Sequence, residues 1–250
     1  QRCEQHNIKH GTTFYKFIDG YCFKSKNLYN FANYIMRQEF INNNRWIHYN
    51  ELFQLVKKSD AYKDIGSNVG QGTLRVLDKN WKSFFNAMKD WKQNPEKYLG
   101  RPRIPKYREK DGRFLLSLDS NKVKLKDGYV YFAWKPFKIF NNIFKTRAKE
   151  RILQCRFIPK CRKYVMEIVY EIELPDITET SDRIAAIDLG VNNFITMVNN
   201  IGENPIAVKG GIIKSINQYY NKQKSVIQSK LKKINGKDWS NKLQKLTDKR

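Results

Sequence analysis

One carboxylate in this chain stands where a carboxylate is costly. Residues 183–190, Arg-Ile-Ala-Ala-Ile-Asp-Leu-Gly, read as an apolar strand that closes on Asp188 and Gly190. Burying an acid inside such a strand is unfavourable unless something positive binds it. Hard carboxylate oxygens suit Mg²⁺, and a pair of such ions activates water and stabilises the leaving oxygen in phosphodiester cleavage. Asp188 is therefore the candidate catalytic residue and metal ligand, and Gly190 lets backbone approach it. A strand-end Asp hydrogen-bonded to loop amides is the plainer alternative.

A second set of residues could hold phosphate. Leu74, Leu77, Trp81, Phe84, Met88 and Trp91 recur at steps of three and four, which predicts a helix seam after a cap at Ser67. Beside the seam runs a cationic stripe, Arg75, Lys79, Lys82 and Lys89. Residues 100–108, Gly-Arg-Pro-Arg-Ile-Pro-Lys-Tyr-Arg, follow, and their two prolines exclude helix and hold the segment extended. Arg101, Arg103, Lys106 and Arg108 then offer charge to phosphates, and Tyr107 a ring to a base. A single lysine face usually just meets water. Here 48 Lys and Arg oppose 24 Asp and Glu in 250 residues, a net charge of +24. That excess calls for a polyanionic partner and decides the reading.

The elements that must position these groups fall into four stretches. Residues 12–23 alternate aromatic and polar positions around Asp19-Gly20 and predict a strand hairpin. Residues 25–94 are helical, with a stripe of Leu28, Phe31, Ala32 and Ile35 and a short helix carrying Leu52, Phe53, Leu55 and Val56. Strands are expected at 114–118, 123–125, 129–132, 151–158 and 164–173, forming an antiparallel sheet or small barrel. After a polar linker, strands at 183–190, 194–198 and 205–209 precede a helix at 215–233 whose inner side carries Ile216, Tyr219, Tyr220, Val226, Ile227 and Ile234. A three-stranded meander followed by a helix, with a carboxylate on the buried first strand, is how an RNase H-like fold begins.

Composition removes other classes. Hydrophobic residues at 40% and aromatics at 14% can build a core, unlike a disordered basic tail. No apolar run is long enough to span a membrane, mean hydropathy is −0.70, and there is no secretory signal. Cys3, Cys22, Cys155 and Cys161 are few and irregularly spaced, as in a reducing cytoplasm. Cys155 and Cys161 are expected to face each other across a hairpin without zinc spacing, and Cys3, His6 and His10 offer only three metal ligands. Both ends of the sequence read as cut.

The helix residues Ser67-Asn68-Val69, Leu74-Arg75-Val76-Leu77-Asp78 and Trp81-Lys82-Ser83-Phe84-Phe85, the segment from Gly100 to Tyr107, and Ile187-Asp188-Leu189-Gly190-Val191-Asn192-Asn193 occur in this order in TnpB (OrfB) proteins of bacterial insertion sequences. The chain resembles that family over nearly its whole length. Its members, long described as transposases, are RNA-guided DNA endonucleases related to type V CRISPR effectors.

The resemblance implies an α+β multidomain fold. A β-barrel-like wedge domain is formed by residues 1–24 and 95–176, a helical recognition insertion by 25–94, a linker by 177–182, and the start of an RNase H-like (RuvC) nuclease domain by 183–250. It also implies guide RNA and a double-stranded DNA target as partners, no membrane, a bacterial cytoplasmic location, and Mg²⁺ as cofactor, with Asp188 as the first catalytic carboxylate. Glu203, Asp238 and Asp248 are poor substitutes for the family's other acidic residues. Those residues and a zinc-binding insertion are expected beyond Arg250, so DNA cleavage is expected of the family and not of this chain alone.

Two alternatives share the charge. A nuclease-dead RNA-guided DNA-binding repressor matches every feature above, and a general RNA-binding protein leaves the carboxylate of the apolar strand without a purpose. Sugar kinases and actin-like ATPases also end their first strand in Asp-Leu-Gly, but small hydroxyl-bearing residues follow there, where this chain has Val191-Asn192-Asn193.

Overall fold

The structure, a computed structural model, describes residues 1–161, 163–173, 182–236 and 239–250. The chain divides into two compact units, Gln1–Glu173 and Leu174–Arg250. The linker expected at 177–182, apart from Asp182, and the acid Asp238 lie outside the described residues.

The first unit begins with strand β1 (Arg2–Lys9) and helix α1 (Thr13–Asn43). The strand hairpin expected at 12–23 is instead the opening of this helix. Phe14, Phe17 and Tyr21, which suggested alternation, also stand three and four residues apart. Thr12 decides between the two periods, because its hydroxyl accepts the Tyr15 amide at 3.1 Å and satisfies a donor that a helix start would leave orphaned. Phe14, Ile18, Cys22, Tyr29, Ala32 and Met36 then fall on one buried stripe.

Helices α2 (Tyr49–Val56), α3 (Asp60–Ile65) and α4 (Ser67–Gln93) follow. The cap of α4 is Gly66, not Ser67; it has φ 85° and makes no side-chain bond, a backbone conformation that favours glycine. Within α4, Gly70 lets α3 come close, since a Cβ there would lie 2.7 Å from the Tyr62 ring. The α4 seam is buried at Leu74, Leu77 and Trp81 and only half-buried at Phe84, Met88 and Trp91.

Strands β2 (Leu116–Asp119), β3 (Val123–Lys126), β4 (Tyr129–Phe132), β5 (Ile152–Lys160) and β6 (Lys163–Tyr170) complete the unit. The larger sheet is antiparallel in the order β1-β6-β5-β2, and β3-β4 is a separate hairpin turning on Asp127 (φ 51°) and Gly128 (φ 75°). The expected barrel does not close among the described residues. The reason lies in the hairpin backbone: Val130 N bonds to Phe144 O (2.8 Å) and Phe132 N to Asn141 Oδ1 (2.7 Å), so loop groups satisfy donors that a neighbouring strand would need. The hairpin and the sheet nevertheless share one core with α1, in which Phe14 meets Phe132, Phe137, Phe140 and Phe157. Cys155 pairs with Ile168 while Cys161 follows the end of β5, so these two do not face each other as expected. Burial pushes the Cys22 and Cys155 thiols far up, which makes them core residues rather than nucleophiles.

The second unit is a meander of β7 (Ala185–Asp188), β8 (Asn193–Asn199) and β9 (Ile206–Lys209), followed by α5 (Gly211–Asn235) and α6 (Asn241–Lys249). Its apolar strand is not buried: Ile187 is 59% exposed. Of the inner positions expected on α5, only Tyr220 is buried, where it meets Thr247 and the Arg250 guanidinium. An apolar pattern reports burial only when a second layer packs on it, and the strand cannot supply that layer itself.

Candidate nucleic-acid interface and the Asp188 strand end

Along one side of α1 a row of groups holds the basic segment and its continuation, most of them through its backbone. Asp19 accepts from two of the three guanidinium nitrogens of Arg113 (2.9 and 2.7 Å), and Cys22 O accepts the Phe114 amide (3.0 Å). Lys26 Nζ donates to Lys110 O (2.6 Å). Asn30 Nδ2 donates to Arg108 O (2.9 Å) while Asn30 Oδ1 accepts Arg108 N (2.7 Å). Asn33 Nδ2 and an Arg37 nitrogen both donate to Pro105 O, at 3.1 and 2.8 Å. These α1 positions recur every three or four residues and so share a face. A segment with prolines at 102 and 105 has no strand partner, and the helix face satisfies its backbone instead.

Arg101, Arg103, Lys106 and Arg108 are all exposed, and the Arg108 guanidinium lies over the Tyr29 and Phe114 rings at 5.1 and 4.8 Å. The ladder also reaches the core: the buried Trp81 indole donates to Asn33 Oδ1 at 3.0 Å. Asn33 thus joins the α4 seam to the basic segment.

Two grooves run between α4 and that segment. One, of about 390 Å³, has Asn80 and Ser83 opposite Arg103, Lys106 and Arg108. The other, of about 540 Å³, has Phe40, Phe85 and Met88 beneath Lys89, Lys92 and Arg101. No Asp or Glu lines either groove.

The structure therefore brings together five of the residues singled out in the sequence, Lys89, Arg101, Arg103, Lys106 and Arg108. Tyr107 is exposed beside them, with the Arg37 guanidinium 4.8 Å from its ring centre. Arg75 stands apart: it lies 3.7 Å from Asp119 and over the Tyr49 ring at 5.5 Å. Lys79 and Lys82 are exposed on α4 but line neither groove. Lys92, three residues beyond Lys89 on the same helix, was open to discovery by spacing alone. Asn30, Asn33 and Arg37 lie in the stretch already read as helical, but no local pattern shows that they hold residues 105–108, and Asp19 came into view only once residues 12–23 proved helical.

Asp188 ends β7 opposite Thr196 and is exposed. Glycines cinch its loop: a Cβ at Gly190 would lie 2.8 Å from Asn193 O, one at Gly210 would lie 2.4 Å from Val191 O, and the Gly210 amide bonds to Asn192 O (2.8 Å). Among the described residues no group of three or more His, Cys, Asp or Glu side chains gathers, either here or around Cys3, His6 and His10. His6 meets Glu4 at 2.9 Å, and His10 packs on Tyr15. Glu203 sits in an exposed turn, and Asp248 accepts from Gln244 (2.9 Å). The described residues by themselves do not form a Mg²⁺ site.

The fold and these surfaces define an α+β protein with antiparallel sheets and an acid-free cationic face. Residues 167–250 match the family model OrfB_IS605, described as a probable transposase. No curated protein matches the chain. The similar solved structures include a CRISPR-Cas12f ternary complex (12% identity, TM-score 0.40, covering 94% of this chain) and a Cas12f1-sgRNA-target DNA complex (11%, 0.33, 100%). The chain spans 56% and 65% of those chains. Among the described residues no helix is long and apolar enough to cross a membrane.

Proposed function

We propose that this chain is the guide- and target-binding portion of an RNA-guided DNA endonuclease of the TnpB (OrfB) kind, working in the bacterial cytoplasm on a guide RNA and a double-stranded DNA target. One observation carries the reading: α1 bonds the backbone at Pro105, Arg108, Lys110 and Phe114 and leaves the cations of 101–108 exposed along grooves without an acid. Such a surface holds phosphates whatever the base sequence, which suits a protein that leaves sequence reading to base pairing. In this reading residues 183–250 begin a RuvC-like nuclease fold. Asp188 is its candidate first carboxylate, and the other metal ligands come from outside the described residues.

Fluorescence anisotropy of a structured RNA at rising salt tests the proposal. The logarithm of the association constant should fall linearly with the logarithm of salt concentration, and the triple variant Arg101→Ser, Arg103→Ser, Lys106→Ser should flatten the slope. Binding indifferent to salt would overturn it.

A further inference from the structure

The two grooves beside α4 share a wall. Phe84 and Pro102 line both, so a ring and a proline form the ridge between the chamber of about 540 Å³ and that of about 390 Å³. Each chamber has its own apolar surface and its own cations: Phe40 and Met88 with Lys89 and Arg101 on one side, Tyr29 and Ala87 with Arg103 and Lys106 on the other. A surface for duplex backbone requires the cations but not the chambers. A groove for an extended peptide requires a continuous backbone edge, and this segment interrupts it, because Pro102 and Pro105 have no amide and the carbonyls of Pro105 and Arg108 are taken by α1.

What repeats across the ridge is an apolar chamber plus a positive charge, which complements a polymer whose unit is a flat ring plus an anion. Arg101 and Arg103 are alternate residues of an extended segment, about 7 Å apart, of the order of one nucleotide step. The Phe84 ring is half-buried and no neighbouring ring stacks on it: Phe40, Trp81 and Phe85 meet it at 85°, 88° and 57°.

We propose that these chambers hold two successive unpaired nucleotides of a nucleic-acid strand, one base in each, with Phe84 between the bases and the phosphates on the cations of the segment and of the α4 end. The inference rests on the nucleic-acid-binding reading above and deepens it. Binding at this place is to a single strand, depends on the bases being present, and tolerates any sequence, since every base has a π-face.

The test uses the intact chain and anisotropy with short fluorescent strands at fixed salt: a base-bearing single strand, the same backbone made abasic, and the duplex, each with ribose and with deoxyribose. The base-bearing strand should bind about tenfold tighter than the abasic one, and tighter than the duplex. Phe84→Leu, which keeps apolar volume and removes the ring, should bring the ratio of the two single strands close to one, and Phe84→Tyr should keep it. The ratio is read within each variant, so partial unfolding lowers both affinities without moving it. Lys89→Ser with Arg101→Ser should weaken both strands alike and leave the ratio in place. An advantage seen with only one sugar supports the proposal and assigns the strand as RNA or DNA. Equal affinity for base-bearing and abasic strands, or preference for the duplex, overturns the proposal and leaves the broader reading standing. An acidic peptide that binds more tightly and displaces the strand also overturns it. Failure to bind any of the strands overturns both.

Discussion

Asn30 and Arg108 bond to each other twice, side-chain amide to backbone carbonyl at 2.9 Å and backbone amide to side-chain oxygen at 2.7 Å. A single asparagine thereby does for the backbone of Arg108 what a neighbouring strand would do. Asn30→Ala removes both bonds at a partly exposed site and should cost about 1 kcal/mol of stability. The larger effect falls on function: with the backbone released, structured-RNA affinity should drop severalfold. Urea titration and anisotropy read the two effects separately.

Asn33 serves two masters, accepting from the buried Trp81 indole and donating to Pro105 O. Asn33→Leu strands the indole N–H in the core and should cost about 2–3 kcal/mol. Tryptophan fluorescence during urea unfolding would show an earlier midpoint. Asn33→Asp keeps the acceptor for Trp81 but removes the donor to Pro105 O and buries a carboxylate, so it should not recover the loss at neutral pH.

Asp19 links α1 to both Arg113 and Tyr164, whose hydroxyl donates to it at 2.7 Å. Burial raises the pKa of its carboxyl, but the hydrogen bonds from Arg113 and Tyr164 and the Arg113 charge outweigh burial and hold it below the ordinary value. A depressed carboxylate pKa contributes stability that is present above the unfolded value, about 3.9, and is lost as pH falls through the folded value. Asp19→Asn should therefore lower stability by about 2 kcal/mol at neutral pH. The gap between variant and parent should close below about pH 4, as measured by urea unfolding across pH.

Gly70→Ala sets two effects against each other. Alanine favours the interior of α4 by about 1 kcal/mol. Its Cβ, however, would meet the Tyr62 ring at 2.7 Å, and that ring is held by its hydroxyl on Ser67 O (3.0 Å). Overpacking of this kind costs about 1–3 kcal/mol, so the substitution should be net destabilising, with a lower thermal midpoint.

Asp188→Ala should leave RNA affinity within about twofold, since the binding reading places the contacts on the first unit and surface changes elsewhere are nearly neutral. Residues 1–250 incubated with Mg²⁺, guide RNA and target DNA should give no cleavage, because one carboxylate does not hold two catalytic metal ions. Cleavage abolished by Asp188→Ala would show that the missing ligands assemble after all.

Much of the architecture could be read from periodicity. The seam at Leu74, Leu77 and Trp81, the hairpin turn at Asp127-Gly128 and the meander after residue 183 all announce themselves by spacing and by turn chemistry. The start of α1 did not, because Phe14, Phe17 and Tyr21 satisfy two periods over so short a window and only the Thr12 cap separates them. Spacing left sheet and barrel both open for the strands at 114–173, because strand patterns say which residues face a core and not which edges pair, and the structure shows the antiparallel sheet.

The candidate site divides in the same way. The sequence by itself determined its chemistry: the excess of cations, the proline-held extended segment and the lone carboxylate of an apolar strand. Tertiary structure alone decided which cations share a groove. Arg75 belongs to the same helical stripe as Lys89, yet packing turns it toward Asp119, while Lys89 meets Arg101 over an aromatic floor. It also decided that Asp188 stands exposed and without acidic neighbours among the described residues. Spacing along a chain constrains the face a residue occupies, whereas its partners are set by contacts between elements distant in sequence, and no local pattern encodes those.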